Sequence, residues 1–548
     1  MSEAQEYIVT AKTMDDATSL LDDMESPNGD LYIPNRQVDV TQRREISRNT
    51  HFLITAEEAE QIRNDPRVLA VELLPSIQGI IPELHWTQSG NFEKSSTIDT
   101  DDKNWGLYRI TTGANLANWG TNGLFTQTTQ TINTTSSGKN VDVIVVDAHI
   151  NPAHPEFKQN SDGTGSSRVN QYDWFQHSAY LGYSTSGVYN YSNISSNHGT
   201  HVAGTVAGNT QGWARDATIY NMEFQYAGGN GPAGDWTVYI FDYIRAFHAL
   251  KPINAATGKR NPTVTNHSWG YSYGTINLST VTSVSYRGVT TALSGTDAAK
   301  KIILEANGVP VPASTYLYRP PARSAALDAD IQDAIADGIL VISSAGNSYW
   351  NCATPDIADW NNTLTAGFTW NHMQGSSPSA ATGVICVGSV ATGTAEYKSS
   401  FSNYGKRVDI WGPGSNIVSG VYDSTAASEF GITLVNDPRD SAYKLGSISG
   451  TSMSGPQVTG YLACVAEQQP RITQTEALTH LISTATANVG TSGGAAGDYT
   501  SLGDSSNNRY LYYKLVRPLT GAVSPAVRFK DRPSSGAVYP RPRIRKYG

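Results

Sequence analysis

Apolar positions recur at two different periods along this chain, and the change of period divides it into a short unit and a long one. Near the start, Tyr7-Ile8-Val9-Thr10 reads as a strand, and Ala17, Leu20, Leu21 and Met24 fall at helical spacing between Met14 and Met24. Phe52-Leu53-Ile54 reads as a second strand. Thr55 followed by Glu58 has the pattern of a capping box, the helix it opens ends near Asp65-Pro66, and Val68 to Leu73 gives a further strand. Two β-α-β halves within residues 1–85 predict a small ferredoxin-like α+β unit.

Residues 86–103 are polar and rich in Ser, Thr and Asp, the character of an exposed linker that proteases cut. From residue 104 to about 490, apolar strands alternate with helical patterns, which predicts an α/β fold with a doubly wound, mostly parallel sheet. Val141 to Val146, Ile339 to Ser343 and Val384 to Val390 are its expected core strands. Residues 271–319 have no clear place in such a sheet and read as a surface insertion. Residues 491–548 read as a C-terminal extension. Its tail carries Arg517, Arg528, Lys530, Arg532, Arg541, Arg543, Arg545 and Lys546 against one acid, Asp531. That tail is either simply solvated or docks on an acidic partner surface.

Composition narrows the class. Of 548 residues, 39% are hydrophobic and 16% charged, with 11 Trp and 29 Tyr, which describes a packed chain rather than a disordered one. A net charge of -9 argues against a general nucleic-acid binder. No apolar run is long enough to span a bilayer. Met1 to Glu6 lacks the basic and apolar segments of a secretory signal peptide, so the expectation is an intracellular protein or one carried in a particle such as a virion. Cys352, Cys386 and Cys464 are odd in number and have no metal-site spacing, which predicts neither a disulfide framework nor structural zinc.

Four motifs carry chemistry. Gly450-Thr451-Ser452-Met453-Ser454-Gly455-Pro456 is a small-residue turn that opens an apolar helical run, Val458 to Ala466. It puts Ser452 at a helix N-terminus, where backbone N–H groups favour an oxyanion; read alone, such a Ser is a helix cap. Asn197-His198-Gly199-Thr200-His201 opens a second small-residue helix. A neutral imidazole at His198 can take a serine proton and return it to a leaving group. A zinc reading of His198 and His201 lacks the Glu of a zincin pattern, and His201 reads as a core histidine. Val143 to Asp147 is a buried strand ending in a carboxylate, which is costly unless paired. Orienting an imidazole would satisfy it, and metal ligation or capping are the alternatives. Ile342 to Asn347 is a strand running into a Gly-Asn turn, where Asn347 is either an oxyanion donor or only a turn residue. All four sit at strand ends or at helix starts after strands, positions that an open α/β sheet gathers at one crevice.

In the order Asp147, His198, Ser452 these motifs resemble the subtilisin-like serine peptidases, the subtilases. Trp105 to Ile110 resembles the start of mature family enzymes, and Asn266-His267-Ser268-Trp269-Gly270 resembles their cleft strand. Phe401-Ser402-Asn403-Tyr404-Gly405 and Trp411-Gly412-Pro413-Gly414 resemble the segment leading to the nucleophile. The resemblance implies a serine endopeptidase working through an acyl-enzyme on Ser452. It makes His198 the general base and acid, Asp147 its orienter, and Asn347 with the Ser452 backbone N–H the oxyanion hole. It also implies that Ser268, Trp269 and Gly270 pair with a polypeptide substrate, while Ser344, Ala345 and Gly346 wall the pocket for the side chain before the cut. The N-terminal unit resembles the family's inhibitor-like propeptide, which implies a zymogen cut between about Pro82 and Lys103. Structural calcium is frequent in the family, and no Asp-rich loop here names its ligands.

Departures from the family pattern are also visible. Ala148-His149 stand where the family has a small hydroxyl residue and Gly, Ser454 and Gln457 stand for Ala and His, and Trp269 is bulkier than the usual aliphatic residue. They leave a second reading open, a structural or docking protein on a subtilase scaffold. The presence of all four chemical groups favours the enzyme.

Overall fold

The structure is a computed structural model. It describes residues 4–84 apart from 30, 32–40, 43 and 45, then 105–113, 134–392 apart from 135, 192–195 and 227, then 395–490 and 502–513. The chain divides into two compact units, residues 1–515 and 516–548. The second lies outside the described residues, and with it the basic tail. So does the candidate processing segment 86–103.

Residues 4–84 run β1 (Gln5–Ala11), α1 (Met14–Glu25), β2 (Asn49–Ile54), α2 (Ala56–Arg63), β3 (Val68–Leu73) and β4 (Ile81–Leu84). Thr13 and Thr55 cap the two helices, and the Thr55 N–H donates back to Glu58 at 2.7 Å, completing a capping box. β1 lies between β2 and β3, antiparallel to both. Tyr7, Val9, Phe52 and Val71 of this sheet pack with Leu20, Met24, Ala59 and Ile62 of the helices. β4 leaves this sheet and pairs elsewhere.

The main body follows with α3 (Trp105–Thr112), β5 (Asp142–Asp147), β6 (Val169–Asn170), α4 (Ser178–Leu181) and α5 (His198–Ala207). Next come β7 (Thr218–Glu223), α6 (Ile240–Leu250), β8 (Thr263–His267), β9 (Trp269–Ser272), β10 (Thr275–Asn277), β11 (Ser283–Tyr286) and β12 (Val289–Ala292). The chain continues with α7 (Asp297–Ala306), β13 (Tyr316–Tyr318), α8 (Ala325–Ala336), β14 (Leu340–Ser344), β15 (Thr363–Thr365), β16 (Thr369–Asn371), β17 (Ile385–Val390) and β18 (Ile410–Pro413). It ends with β19 (Ile417–Val421), α9 (Ala426–Phe430), β20 (Val435–Asp437), β21 (Asp440–Ile448), α10 (Thr451–Gln468) and α11 (Gln474–Thr484).

Seven of these strands form one sheet in the order β18-β17-β14-β8-β5-β7-β6, and every neighbouring pair is parallel. The fold is therefore a doubly wound α/β sheet. β5, with sequence DVIVVD, is buried at all six positions, as a central parallel strand must be. Strands step away from β5 in both directions, so the switch point lies beside it, and Asp147 stands at its C-terminal end. Helix α10 crosses the sheet with every side chain from Thr451 to Ala466 buried. It reaches α5 closely because Gly460 has no side chain: a Cβ there would lie 2.3 Å from the Val206 carbonyl oxygen. The helices that carry His198 and Ser452 are thus packed backbone to backbone.

Residues 271–319 do stand outside the main sheet, but the module they form is larger than the sequence suggests. β10 pairs with β13, and the β11–β12 hairpin continues onto β15 and β16. Its core joins Leu278, Val284, Leu304 and Leu317 to Trp350, Leu364 and Trp370. Residues 502–513, which the sequence reading grouped with an extension, return to the sheet edge. The Trp411 N–H donates to the Arg509 carbonyl at 2.9 Å, and the Tyr513 N–H to the Ile110 carbonyl at 2.8 Å. Beneath them Arg109 and Glu396 form a buried ion pair, with the guanidinium 4.2 Å from the Tyr510 ring centroid.

The N-terminal unit sits on α6 and α8 through buried polar contacts. Arg44 pairs with Asp242 at 2.8 Å and with Asp330, and donates to the Val238 carbonyl. Ser47 and Asn49 also donate to Asp330. Glu72 accepts the N–H groups of Ala325 (3.0 Å) and Ala326 (3.1 Å), so it caps the start of α8, and burial pushes its carboxyl up. Cys352, Cys386 and Cys464 are free and buried; burial raises all three thiols, Cys352 to about 12. Among the described residues no helix is long and apolar enough to cross a membrane, and no three His, Cys, Asp or Glu gather as a metal site.

Candidate active site

The structure brings Asp147, His198, Ser452 and Asn347 to the C-terminal side of the sheet, beside the switch point. Asp147 closes β5, and His198 is the first residue of α5. Its Nδ1 lies 2.7 Å from Asp147 Oδ1, with both side chains fully buried. A carboxylate at Nδ1 holds the proton there and leaves Nε2 as the basic nitrogen. Asp147 Oδ1 also accepts the Ala148 N–H at 2.7 Å, while Oδ2 has no partner. The missing hydroxyl after Asp147 therefore shows as one unsupported carboxylate oxygen. His198 Nε2 is buried and has no hydrogen-bond partner.

Ser452 is the second residue of α10, whose N-cap is Gly450. Pro456, four residues on, has no N–H, so the Ser452 carbonyl loses its intrahelical bond. The Ser268 hydroxyl donates to that carbonyl at 3.2 Å. In the other direction the Ser452 hydroxyl donates to the Ser268 carbonyl at 3.1 Å. The Ser452 turn and the segment between β8 and β9 are thus tied twice. Asn266 donates to the Ser268 hydroxyl at 2.9 Å and accepts from Thr459 of α10 at 2.9 Å, which braces the same junction.

Asn347 follows the Gly346 turn, where φ is 103° and a Cβ would lie 2.4 Å from the Asn403 amide nitrogen. Its Oδ1 accepts from the Thr451 N–H at 2.9 Å and the Thr451 hydroxyl at 2.7 Å. That fixes the amide and leaves its Nδ2 buried with no partner. Thr451 also accepts the Gly346 N–H at 3.1 Å, and Asn403 donates to the Ala345 carbonyl at 2.9 Å. Thr451 and Asn403 are supports that the sequence reading did not single out, although both stand inside motifs it quoted. Ser344, Ala345 and Gly346 are all buried beside this turn.

Two groups thus stand ready: a basic nitrogen and an amide donor, both out of water and both unsatisfied. Leaving a buried donor unpaired costs about 1–3 kcal/mol. The adjoining strand β9 is already paired. β4 runs antiparallel to it, with Ile81 opposite Ser272, Pro82 opposite Tyr271, Glu83 opposite Gly270 and Leu84 opposite Trp269. The chain's own segment 81–84 therefore covers the backbone edge at which Ser268, Trp269 and Gly270 were expected to meet a substrate.

The departures each find a place. His149 is buried with Nδ1 3.2 Å from Glu223 Oε1, its ring edge-on to Tyr191 and Tyr422. The Gln457 side-chain oxygen accepts the Trp213 indole N–H at 2.7 Å. The Ser454 hydroxyl donates to the Thr451 carbonyl at 3.0 Å. The Trp269 ring is fully buried, stacked 5.9 Å from Phe224. His201 places Nε2 2.9 Å from the Ile417 carbonyl, and burial lowers its imidazole to about 3. It is a neutral core histidine, turned to backbone and not to a metal.

A profile described as the subtilase family matches residues 138–509. An extracellular serine proteinase of Thermus sp. (strain Rt41A) is 27% identical over 292 residues, covering 53% of this chain and 46% of that one. Alkaline serine exoprotease A of Vibrio alginolyticus is 25% identical over 430 residues, covering 78% and 53%. The chain spans about half the length of these curated relatives. Among solved structures, fervidolysin from Fervidobacterium pennivorans aligns over 91% of this chain and 59% of its own, at 19% identity and a TM-score of 0.48.

Proposed function

The chain belongs to the subtilase family, and from that premise we propose that it is a serine endopeptidase made as a self-processing zymogen. Ser452 Oγ attacks the carbonyl carbon of a peptide bond while His198 Nε2 takes its proton. The carbonyl oxygen becomes an oxyanion that accepts from Asn347 Nδ2 and the Ser452 N–H. As the tetrahedral adduct collapses, the imidazolium gives its proton to the leaving amine, and the acyl group stays on Ser452. Water then attacks the ester with the same base, releasing the acid and regenerating the hydroxyl. Asp147 keeps the imidazole in the useful tautomer and stabilises its charge. The observation that carries this reading is His198, paired to Asp147 at 2.7 Å through Nδ1 while its buried Nε2 has no partner.

Residues 1–85 act as the intramolecular inhibitor, with β4 lying on β9 as a substrate would. The register of Glu83 on Gly270 and Leu84 on Trp269 runs towards Ser268. Ser268 is the residue whose carbonyl holds the Ser452 hydroxyl. The expected cut therefore lies between about Pro82 and Lys103. Incubation of the full chain followed by intact mass and N-terminal sequencing is expected to give a new terminus between about residues 83 and 103. The Ser452→Ala chain is expected to stay whole and to take up no fluorophosphonate. A wild-type chain that neither cuts itself nor reacts with the probe would leave the docking-scaffold reading in its place.

A further inference from the structure

The segment between β19 and β21 touches residues that follow Asp147 and the residue that precedes His198. The Tyr422 carbonyl accepts from Asn151 Nδ2 at 2.9 Å, and the Tyr422 ring stands edge-on to His149 at 5.3 Å, two residues beyond Asp147. On the other side the Asp423 N–H donates to Asn197 Oδ1 at 2.9 Å, and Asn197 Nδ2 donates to the Thr425 hydroxyl at 2.9 Å. Glu429, on α9, makes the largest contribution. It accepts the Asn197 N–H at 2.9 Å, Asn197 Nδ2 at 2.8 Å and the Ser196 hydroxyl. Ser196 in turn accepts the His198 N–H at 3.1 Å.

Asn197 is the N-cap of α5, yet its side chain makes no capping bond to its own helix. Glu429, 232 residues away in sequence, instead accepts from the N–H and the side-chain amide of Asn197 itself. A carboxylate is the favoured group there, because the first N–H groups of a helix have no intrahelical acceptor and carry partial positive charge. His198 is the very next residue. Its imidazole therefore inherits its aim from Asn197, which Glu429 holds through one bond to the backbone N–H and one to the side-chain amide.

We propose that Glu429 is a positioning residue for catalysis: it anchors the start of α5 so that His198 meets Asp147 and Ser452 in register. The proposal rests on His198 being the general base. A misplacement of about 1 Å at such a site costs on the order of 10²-fold in rate. Self-cleavage reads this directly, because a tethered substrate is always bound and its rate reports the chemical step.

Glu429→Ala is expected to slow self-cleavage of the full chain by about 10-fold or more, at an unchanged melting temperature. Glu429→Gln can still accept from Asn197 through its amide oxygen and donate to Ser196, and is expected to stay within about threefold of wild type. Self-cleavage of Glu429→Ala at the wild-type rate would overturn the proposal. So would a loss that tracks the melting temperature, or an equal loss in both variants. A second readout does not need turnover. In the Ser452→Ala background the downfield proton resonance of the His198 Nδ1–H···Asp147 bond is expected to be sharp, and to broaden or vanish once Glu429→Ala is added. An unaltered resonance would count against the proposal. If the wild-type chain fails to cut itself, the function reading falls, and this resonance still tests the anchoring.

Discussion

At the scale of single residues, His198 and Asn347 each keep a polar nitrogen buried and without a hydrogen-bond partner. In the proposed mechanism the cost of keeping Asn347 Nδ2 unpaired is recovered when an oxyanion forms beside it. Asn347→Ala is therefore expected to lower kcat by about 10²–10³-fold, roughly 3–4 kcal/mol, and to leave KM nearly unchanged. Steady-state kinetics of the processed protein on a peptide substrate would check this, and a change confined to KM would assign Asn347 to ground-state binding. Asp147, His198, Ser452 and Asn347 were legible in the sequence because each lies in a contiguous motif at a strand end or helix start. Their supports were not. The Glu429 contact to Asn197 and the Thr451 contact to Asn347 join residues 232 and 104 positions apart. No local period reports such a meeting; only the packed fold does.

At the scale of elements, the approach of α5 to α10 decides whether imidazole and hydroxyl can work together. Gly460 permits it, since a Cβ there would stand 2.3 Å from the Val206 carbonyl oxygen and 2.8 Å from Trp213 Cβ. Gly460→Ala must push the helices apart and is expected to destabilise the chain by about 1–3 kcal/mol. Thermal unfolding would show the lowered melting temperature, and self-cleavage should slow with it. An unchanged melting temperature would mean that the crossing is loose. The buried strands β5, β14 and β17 were recognised from their apolar runs. The module around residues 271–319 was only half legible, because β15 and β16 follow β14 in sequence and pair backward with β11. Short strands with exposed faces carry too weak an alternation to announce that return.

At the scale of the whole molecule, several imidazoles are locked neutral. Burial lowers His201, His267 and His372 to about 3 each. In the unfolded chain a histidine binds its proton near pH 6.5. Below that value the unfolded state gains protons that the folded state refuses, so stability present above pH ~6.5 is lost as pH falls towards 3. Each such group contributes a slope of about 1.4 kcal/mol per pH unit within that window. Calorimetry between pH 7 and 5 is expected to show a steep fall in melting temperature, and a flat profile would contradict neutral burial. The contact of the N-terminal unit has a different consequence. Cutting the chain beyond β4 would remove the tether and still leave the Arg44 guanidinium seated between Asp242 and Asp330. Withdrawing it breaks two buried ion pairs at once, which prolongs the lifetime of the cut complex. The delay between scission and free enzyme is then timed by the escape of one arginine.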